Sequence, residues 1–252
     1  MQPIEIAIYI LAFFYGIVIG SFSNVCILRI PSEESIIPSS HCMKCGYKLR
    51  WYDLFPLFSY IFLKGKCRKC GEHISLQYPL VEGINGVCYT LIFIFNGINV
   101  QSMLLCLFTT ALIAIAVVDW RMYIIPDSFN IFIFILGIVS TAVDYKNFRE
   151  HIIGMFSISA FLLIIFLVTT GRAMGGGDIK LMAGAGLLLG WKCTVVGFLI
   201  GCILGSVIHL IRMKVQGAEH KLAFGPYLAG GLFIAIFVGE LIMNWYLGVL
   251  GV

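Results

Sequence analysis

The chain has 252 residues, of which 60% are hydrophobic and only 12% charged, with a formal net charge of +4. Soluble domains carry about 25% charge, so the composition excludes a soluble enzyme and describes an integral membrane protein. The basic excess implies no nucleic-acid partner, because its distribution along the chain follows the topology.

Residues 6–28 contain no charge and form a first span. No basic segment precedes the run and no small-residue cleavage site follows it, so it reads as a retained helix rather than a cleaved signal peptide. The largest polar stretch, 29–79, comes next. Charge then disappears again over 83–118, 128–143, 152–171, 181–191, 193–211 and 222–239. A bilayer core takes about 20 apolar residues per helix. The 83–118 run therefore holds two spans, with "NGINVQ" (96–101) as the turn between them. The expected fold is an all-α polytopic membrane protein of eight transmembrane helices, in which 181–191 spans only if its helix starts near Asp178. The chain divides into a first helix (1–28), a polar loop (29–79) and a transmembrane core (80–252).

Lysine and arginine orient the bundle. With the N-terminus outside, fourteen of the 17 basic residues fall in the inside segments 29–79, 119–127, 171–180 and 212–226. Only Lys146, Arg149 and Lys192 lie outside.

The polar loop contains Cys42, Cys45, Cys67 and Cys70 in two CxxC pairs. Each pair can bend around one ion, and two such knuckles complete a tetrahedral thiolate site for structural zinc. Gly46 and Gly71 follow the pairs, as a knuckle turn favours. The competing reading is two disulfides, which an oxidising compartment would require; the positive-inside count places the loop in the cytosol. His41 and His73 flank the pairs as bystanders. The five other cysteines lie in apolar runs and read as small buried hydrophobes. The aromatic stretch 50–65 is either the ribbon's own packing or a surface lying on the membrane, and the second is favoured.

Acids at membrane spans are functional candidates, and here they are Glu82, Asp119, Asp127 and Asp178. Asp119 ends one inward-running helix and Asp178 follows another, so topology permits them to meet at the same depth. Two carboxylates in contact share one proton. One can take a proton from water and the other donate to a carbonyl oxygen, the arrangement of an aspartic protease. The glycines at 175–177 would let the backbone approach a substrate and adopt dihedrals closed to other residues. Bland readings stand beside this one. Asp127, after Pro126, is a helix cap. Lys180 is an interfacial lysine, and His151, His209 and His220 carry no signal. Asp119 could be a boundary residue and Asp178 a cap.

Six segments, in order, resemble the type IV prepilin leader peptidases, membrane aspartic proteases with a GxGD signature. They are "GSFSNVCILRIP" (20–31), "CMKCGYKL" (42–49), "CRKCGEHISLQYPLVE" (67–82), "VVDWRMYIIPD" (117–127), "GGGDIKLMAGAGLLLG" (175–190) and "FGPYLAGG" (224–231). The resemblance implies that Asp119 and Asp178 are the catalytic pair. It also implies that the substrates are prepilins or pseudopilins, cut on the cytoplasmic face of a bacterial inner membrane just before an apolar helix. Many members also methylate the new N-terminus with S-adenosylmethionine, and Glu82 and the cysteine loop match the segments associated with that activity. Ser23 and Met43 depart from the usual residues, leucine and proline. The rival readings are a GxGD protease with another substrate, a transporter using Asp119 and Asp178 as an ion or proton relay, and a non-enzymatic scaffold.

Overall fold

A computed structural model describes residues 3–37, 39–172, 174–216 and 222–251 of the chain. His220, named from the sequence, lies outside the described residues. Helices dominate: α1 (Pro3–Arg29), α2 (Phe58–Phe62), α3 (Gln77–Asn96), α4 (Val100–Met122), α5 (Asp127–Val143), α6 (Phe148–Val168), α7 (Gly176–Gln216) and α8 (Gly225–Leu250). Pairing between extended segments is limited, among the described residues, to two isolated bridges in the cysteine loop. Among the described residues, six segments are long and apolar enough to cross a membrane, and Asp127–Val143 is apolar but shorter. Two compact units divide the chain, 1–110 and 111–252.

In the first unit, α1 and α3 pack together over small residues. A methyl group on Gly16 would strike the backbone of Gly86, and one on Gly20 would strike Glu82. Such close approach is how helices gain contact area where lipid supplies no hydrophobic drive. Buried polar groups stitch the pair. Asn85 donates to the Gly16 carbonyl at 2.7 Å and accepts from Thr110 at 2.9 Å. Asn24 donates to the Tyr78 carbonyl at 3.2 Å. The turn expected at 96–101 is present: α3 ends at Gly97, with φ of 73°, and α4 begins at Val100.

In the second unit, α7 is the central element and packs on α5, α6 and α8. Leu162, Leu181, Met182, Leu188, Leu228 and Leu232 are fully buried there. The expected helices 181–191 and 193–211 are one stretch of 41 residues, broken at Gly190, whose φ of 76° and ψ of 168° are not helical. The first part starts at Gly176, which lengthens the segment that looked too short. The break frees carbonyls, and neighbouring side chains take them up. Thr141 donates to Leu187 at 3.2 Å and Ser140 to Leu188 at 3.0 Å, and His151 Nδ1 lies 2.9 Å from the Leu187 oxygen. His151 therefore has a structural role that its position in the sequence did not signal. The last helix runs to Leu250 and incorporates Glu240, well beyond the charge-free run ending at 239.

Candidate active site and metal centre

The cysteine loop is built from two matching turns. Cys42 N–H donates to the Tyr47 carbonyl and Gly46 N–H to the Cys42 carbonyl, both at 2.9 Å. The second turn repeats this with Cys67 to Glu72 at 2.7 Å and Gly71 to Cys67 at 2.9 Å. Gly46 and Gly71 both have positive φ, 66° and 72°, the left-handed backbone that glycine adopts without strain. His41 and His73 sit in the flanking bridges, with Lys48 and Lys66, and not among the four clustered ligands.

All four sulfurs lie within 4.8 Å of one another. The Cys42–Cys70 pair is 3.8 Å apart and the Cys45–Cys67 pair 4.0 Å. Tetrahedral zinc with Zn–S bonds of about 2.3 Å needs sulfurs separated by about 3.8 Å, so the residues fit a four-thiolate ion. A disulfide needs about 2.05 Å; these cysteines are free. The N–H groups of Cys45 and Lys44 hold the Cys42 thiol down to about 6. The Glu72 N–H works in the same direction on Cys70, but burial and the neighbouring thiols push it up to about 11. Four sulfurs this close cannot all ionise without a cation between them.

A buried acid that sequence reading passed over braces the turns. The Asp53 side chain is only 1% exposed. It accepts from Arg68 Nε at 2.7 Å, Tyr47 Oη at 3.2 Å and Arg50 N–H at 3.2 Å. Lys44 of the first turn forms an ion pair with Glu72 of the second. Of the remaining cysteines, Cys88, Cys106 and Cys193 are buried, and Cys26 and Cys202 half-buried.

Glu82 is buried in α3. Its Oε2 accepts the backbone N–H of Leu57 at 2.8 Å, with Ser21 adding a second hydrogen bond.

The second unit assembles the aspartates. Asp119 lies in the last turn of α4 and Asp178 in the first turn of α7, and both are buried. The two carboxylates are near enough to act on each other electrostatically. Gly225, opening α8, donates its N–H to Asp119 Oδ2 at 2.7 Å. A Cβ there would come within 2.8 Å of the same oxygen, so only glycine lets this amide approach. Asp178 has the Gly175 N–H against it, while its Oδ1 is buried with no hydrogen-bond partner among the described residues. The sequence marks the "FGPY" segment only as a motif; a backbone donor has no residue signature, so its contact with Asp119 is not legible there.

The glycines before Asp178 act through space and not through dihedrals: φ is positive at none of 175–177. A Cβ on Gly177 would lie 2.8 Å from Ile125 Cβ, whereas Gly176 faces open space. Asp127 is the first residue of α5, one place after the N-cap Pro126, where its charge suits the helix dipole, and it accepts from Lys180 at 2.7 Å on the exposed surface. Two cavities of about 390 Å³ lie in the first unit, one against Tyr52, Phe55, Phe62 and Arg68 and the other against Phe13, Leu80 and Val87. Neither is lined by Asp119, Asp178 or Glu82.

Two family models match the chain. Residues 14–95 match the bacterial peptidase A24 N-terminal domain, and residues 106–210 match the type IV leader peptidase family. A protein of Bacillus subtilis named prepilin leader peptidase/N-methyltransferase is 33% identical, over 93% of this chain and 96% of its own. Proteins of the same name from Stutzerimonas stutzeri and Pseudomonas aeruginosa are each 28% identical, over 98% and 92% of this chain and 98% and 91% of theirs. No solved structure matches.

Proposed function

The chain belongs to the type IV leader peptidase family, and on that premise we propose that it removes the leader from prepilin-like proteins and methylates the exposed N-terminus. What supports the hydrolytic half is that Asp119 and Asp178 are both buried at helix ends beside glycine, near enough to act on each other electrostatically. The transporter relay finds no support among the relatives.

The proposed reaction is an amide hydrolysis with one shared proton. The ionised carboxylate takes a proton from water, whose oxygen attacks the scissile carbonyl carbon. The protonated carboxylate donates to the carbonyl oxygen. Collapse of the tetrahedral adduct breaks the C–N bond, and the proton taken from water passes to the leaving amine. The Gly225 amide fixes one oxygen of Asp119, which sets the direction in which the other can act. The open face at Gly176 gives an extended substrate strand room to approach.

Four-thiolate zinc in the loop is a structural ion in this reading and takes no part in either reaction. When bound, S-adenosylmethionine supplies the methyl group. Glu82 serves this half through its grip on the loop at Leu57. The loop faces the cytosol and the N-terminus lies outside. With α5 and both parts of α7 counted, eight segments cross a bacterial inner membrane. Residues 1–28, 29–79 and 80–252 act as anchor, zinc module and protease core. The lysine and arginine distribution supports this orientation.

Purified protein incubated with a type IV prepilin, with and without S-adenosylmethionine and read by intact mass, tests the reading. Loss of the leader plus one methyl group is expected. Loss of the leader alone would remove the methyltransferase half, and an unchanged mass with folded protein would overturn the peptidase.

A further inference from the structure

We infer that residues 54–63, the aromatic segment between the two cysteine turns, are inserted in the hydrocarbon of the bilayer as a wedge beside α1 and α3. The inference rests on the membrane character of the chain and not on its peptidase activity.

The first observation is depth. The Phe58 ring stacks on Phe14 of α1, with centroids 6.4 Å apart and planes 12° apart. Phe14 lies fifteen residues before Arg29, the loop end of α1, which is about 22 Å at 1.5 Å per residue. A stricter reference is Asn24, whose Oδ1 accepts from Gln77 at the start of α3 at 3.3 Å. Phe14 is ten residues further in, or about 15 Å. The hydrocarbon core is about 30 Å thick. The ring that stacks on Phe14 is therefore in lipid on the loop's side of the membrane. Leu57 agrees, since its side chain lies along α3 at Gly83, beyond the first turn of that helix.

The second observation is surface chemistry. Phe62 is 82% exposed, Ile61 69% and Phe55 54%. Such exposure in water would be costly, and it continues the outward apolar face of α1 at Leu11 and Phe14. Lys64, Lys66, Arg68 and Lys69 follow the segment, and Lys44, Lys48 and Arg50 precede it. Basic residues flanking an apolar insert complement the anionic headgroups of a leaflet.

The third observation is how much of the backbone is satisfied internally. In hydrocarbon every N–H needs an internal acceptor. Within the segment, Ser59, Ile61 and Leu63 donate to Phe55, Leu57 and Ser59, and Pro56 has no N–H to satisfy. The Leu57 N–H, at the start of a five-residue helix, has no such partner within its own turn, and it is this amide that Glu82 accepts. A carboxylate from α3 thus satisfies an amide that the short helix leaves without an internal acceptor, as hydrocarbon demands. The occupant of the exposed aromatic face is thus the bilayer itself, and the zinc turns rest on its surface.

Phe62→Trp and Ile61→Trp test this in full-length protein reconstituted in phospholipid vesicles, with Ile37→Trp, 89% exposed elsewhere in the loop, as the aqueous reference. The fluorescence each variant adds to the parent is read against lipids brominated on the acyl chain and against aqueous iodide. The wedge predicts bromolipid quenching and iodide protection for the first two, and the reverse for Ile37→Trp. Iodide quenching at 61 and 62 would place the segment in water. Protection from both quenchers would mean that protein covers it, such as a second copy of the chain. Either result overturns the inference. Both substituted side chains are exposed, so neither replacement disturbs the packed interior, and an unchanged elution profile in detergent checks that the variants fold.

Discussion

The cysteine turns and the aspartate site both gather acidic groups, and they treat them differently. Asp53 is enclosed by Arg68, Tyr47 and the Arg50 amide, and Lys44 meets Glu72 across the two turns. At the helix ends, Asp119 receives one amide from Gly225, and Asp178 keeps a buried oxygen with no partner among the described residues. A polar cluster with its hydrogen bonds made is rigid and inert. A carboxylate left partly unsatisfied in a buried site retains capacity for a proton or a substrate, which is why such groups mark chemistry. In the proposed function the first is a scaffold and the second the reactive centre, a distinction drawn without reference to sequence relatives.

The contrast breaks most directly at the carboxylates. Asp119→Asn and Asp178→Asn should each cut leader cleavage on the order of 10²–10⁴-fold, the range of a lost general acid or base. The protein should still accumulate in the membrane. Cleavage retained in either variant, read by gel mobility of the prepilin, would show that the pair is not the catalytic group.

Gly225→Ala comes next. Its methyl would press on Asp119 Oδ2 from 2.8 Å, and misplacement of a catalytic group by about 1 Å can cost about 100-fold. Gly83→Ala, where the added methyl meets only the Leu57 side chain at 3.8 Å, is the matched control and should leave cleavage near wild type. Equal effects from the two would mean that Gly225 matters only for helix packing.

Cys67→Ser addresses the scaffold. It should abolish stoichiometric zinc, measured by atomic absorption, and open residues 29–79 to limited proteolysis. Disulfides in place of zinc in the purified wild type would show that the loop faces an oxidising compartment, reversing the topology.

The smallest effect concerns Asp53. Burial alone would raise its carboxyl, but hydrogen bonds from Arg68, Arg50 and Tyr47 hold it below the ordinary carboxylate range. A depressed folded value gives stability that is fully present above the unfolded value of about 3.9 and is lost as pH falls through the folded value. Asp53→Asn should therefore lower the melting temperature at pH 7, and the gap from wild type should close below about pH 4. A gap that stays constant with pH would mean that the carboxylate contributes by shape and not by charge.

Much of this protein could be read from residues alone. Charge-free runs located the apolar helices and the turn at Gly97, because lipid excludes charge over a fixed thickness. The doubled CxxC located the four-cysteine cluster, because tetrahedral thiolate chemistry imposes its own spacing. Asp119 and Asp178 stood out because carboxylates at membrane spans are rare. Other features depended on contacts between segments far apart in sequence. The break at Gly190, the Gly225 amide on Asp119, the Leu57 amide on Glu82 and the enclosure of Asp53 each place a backbone group or a neutral side chain against a polar atom from another element. Backbone donors are the same at every position, so composition and spacing carry no trace of which one is used. Only the packed structure decides that.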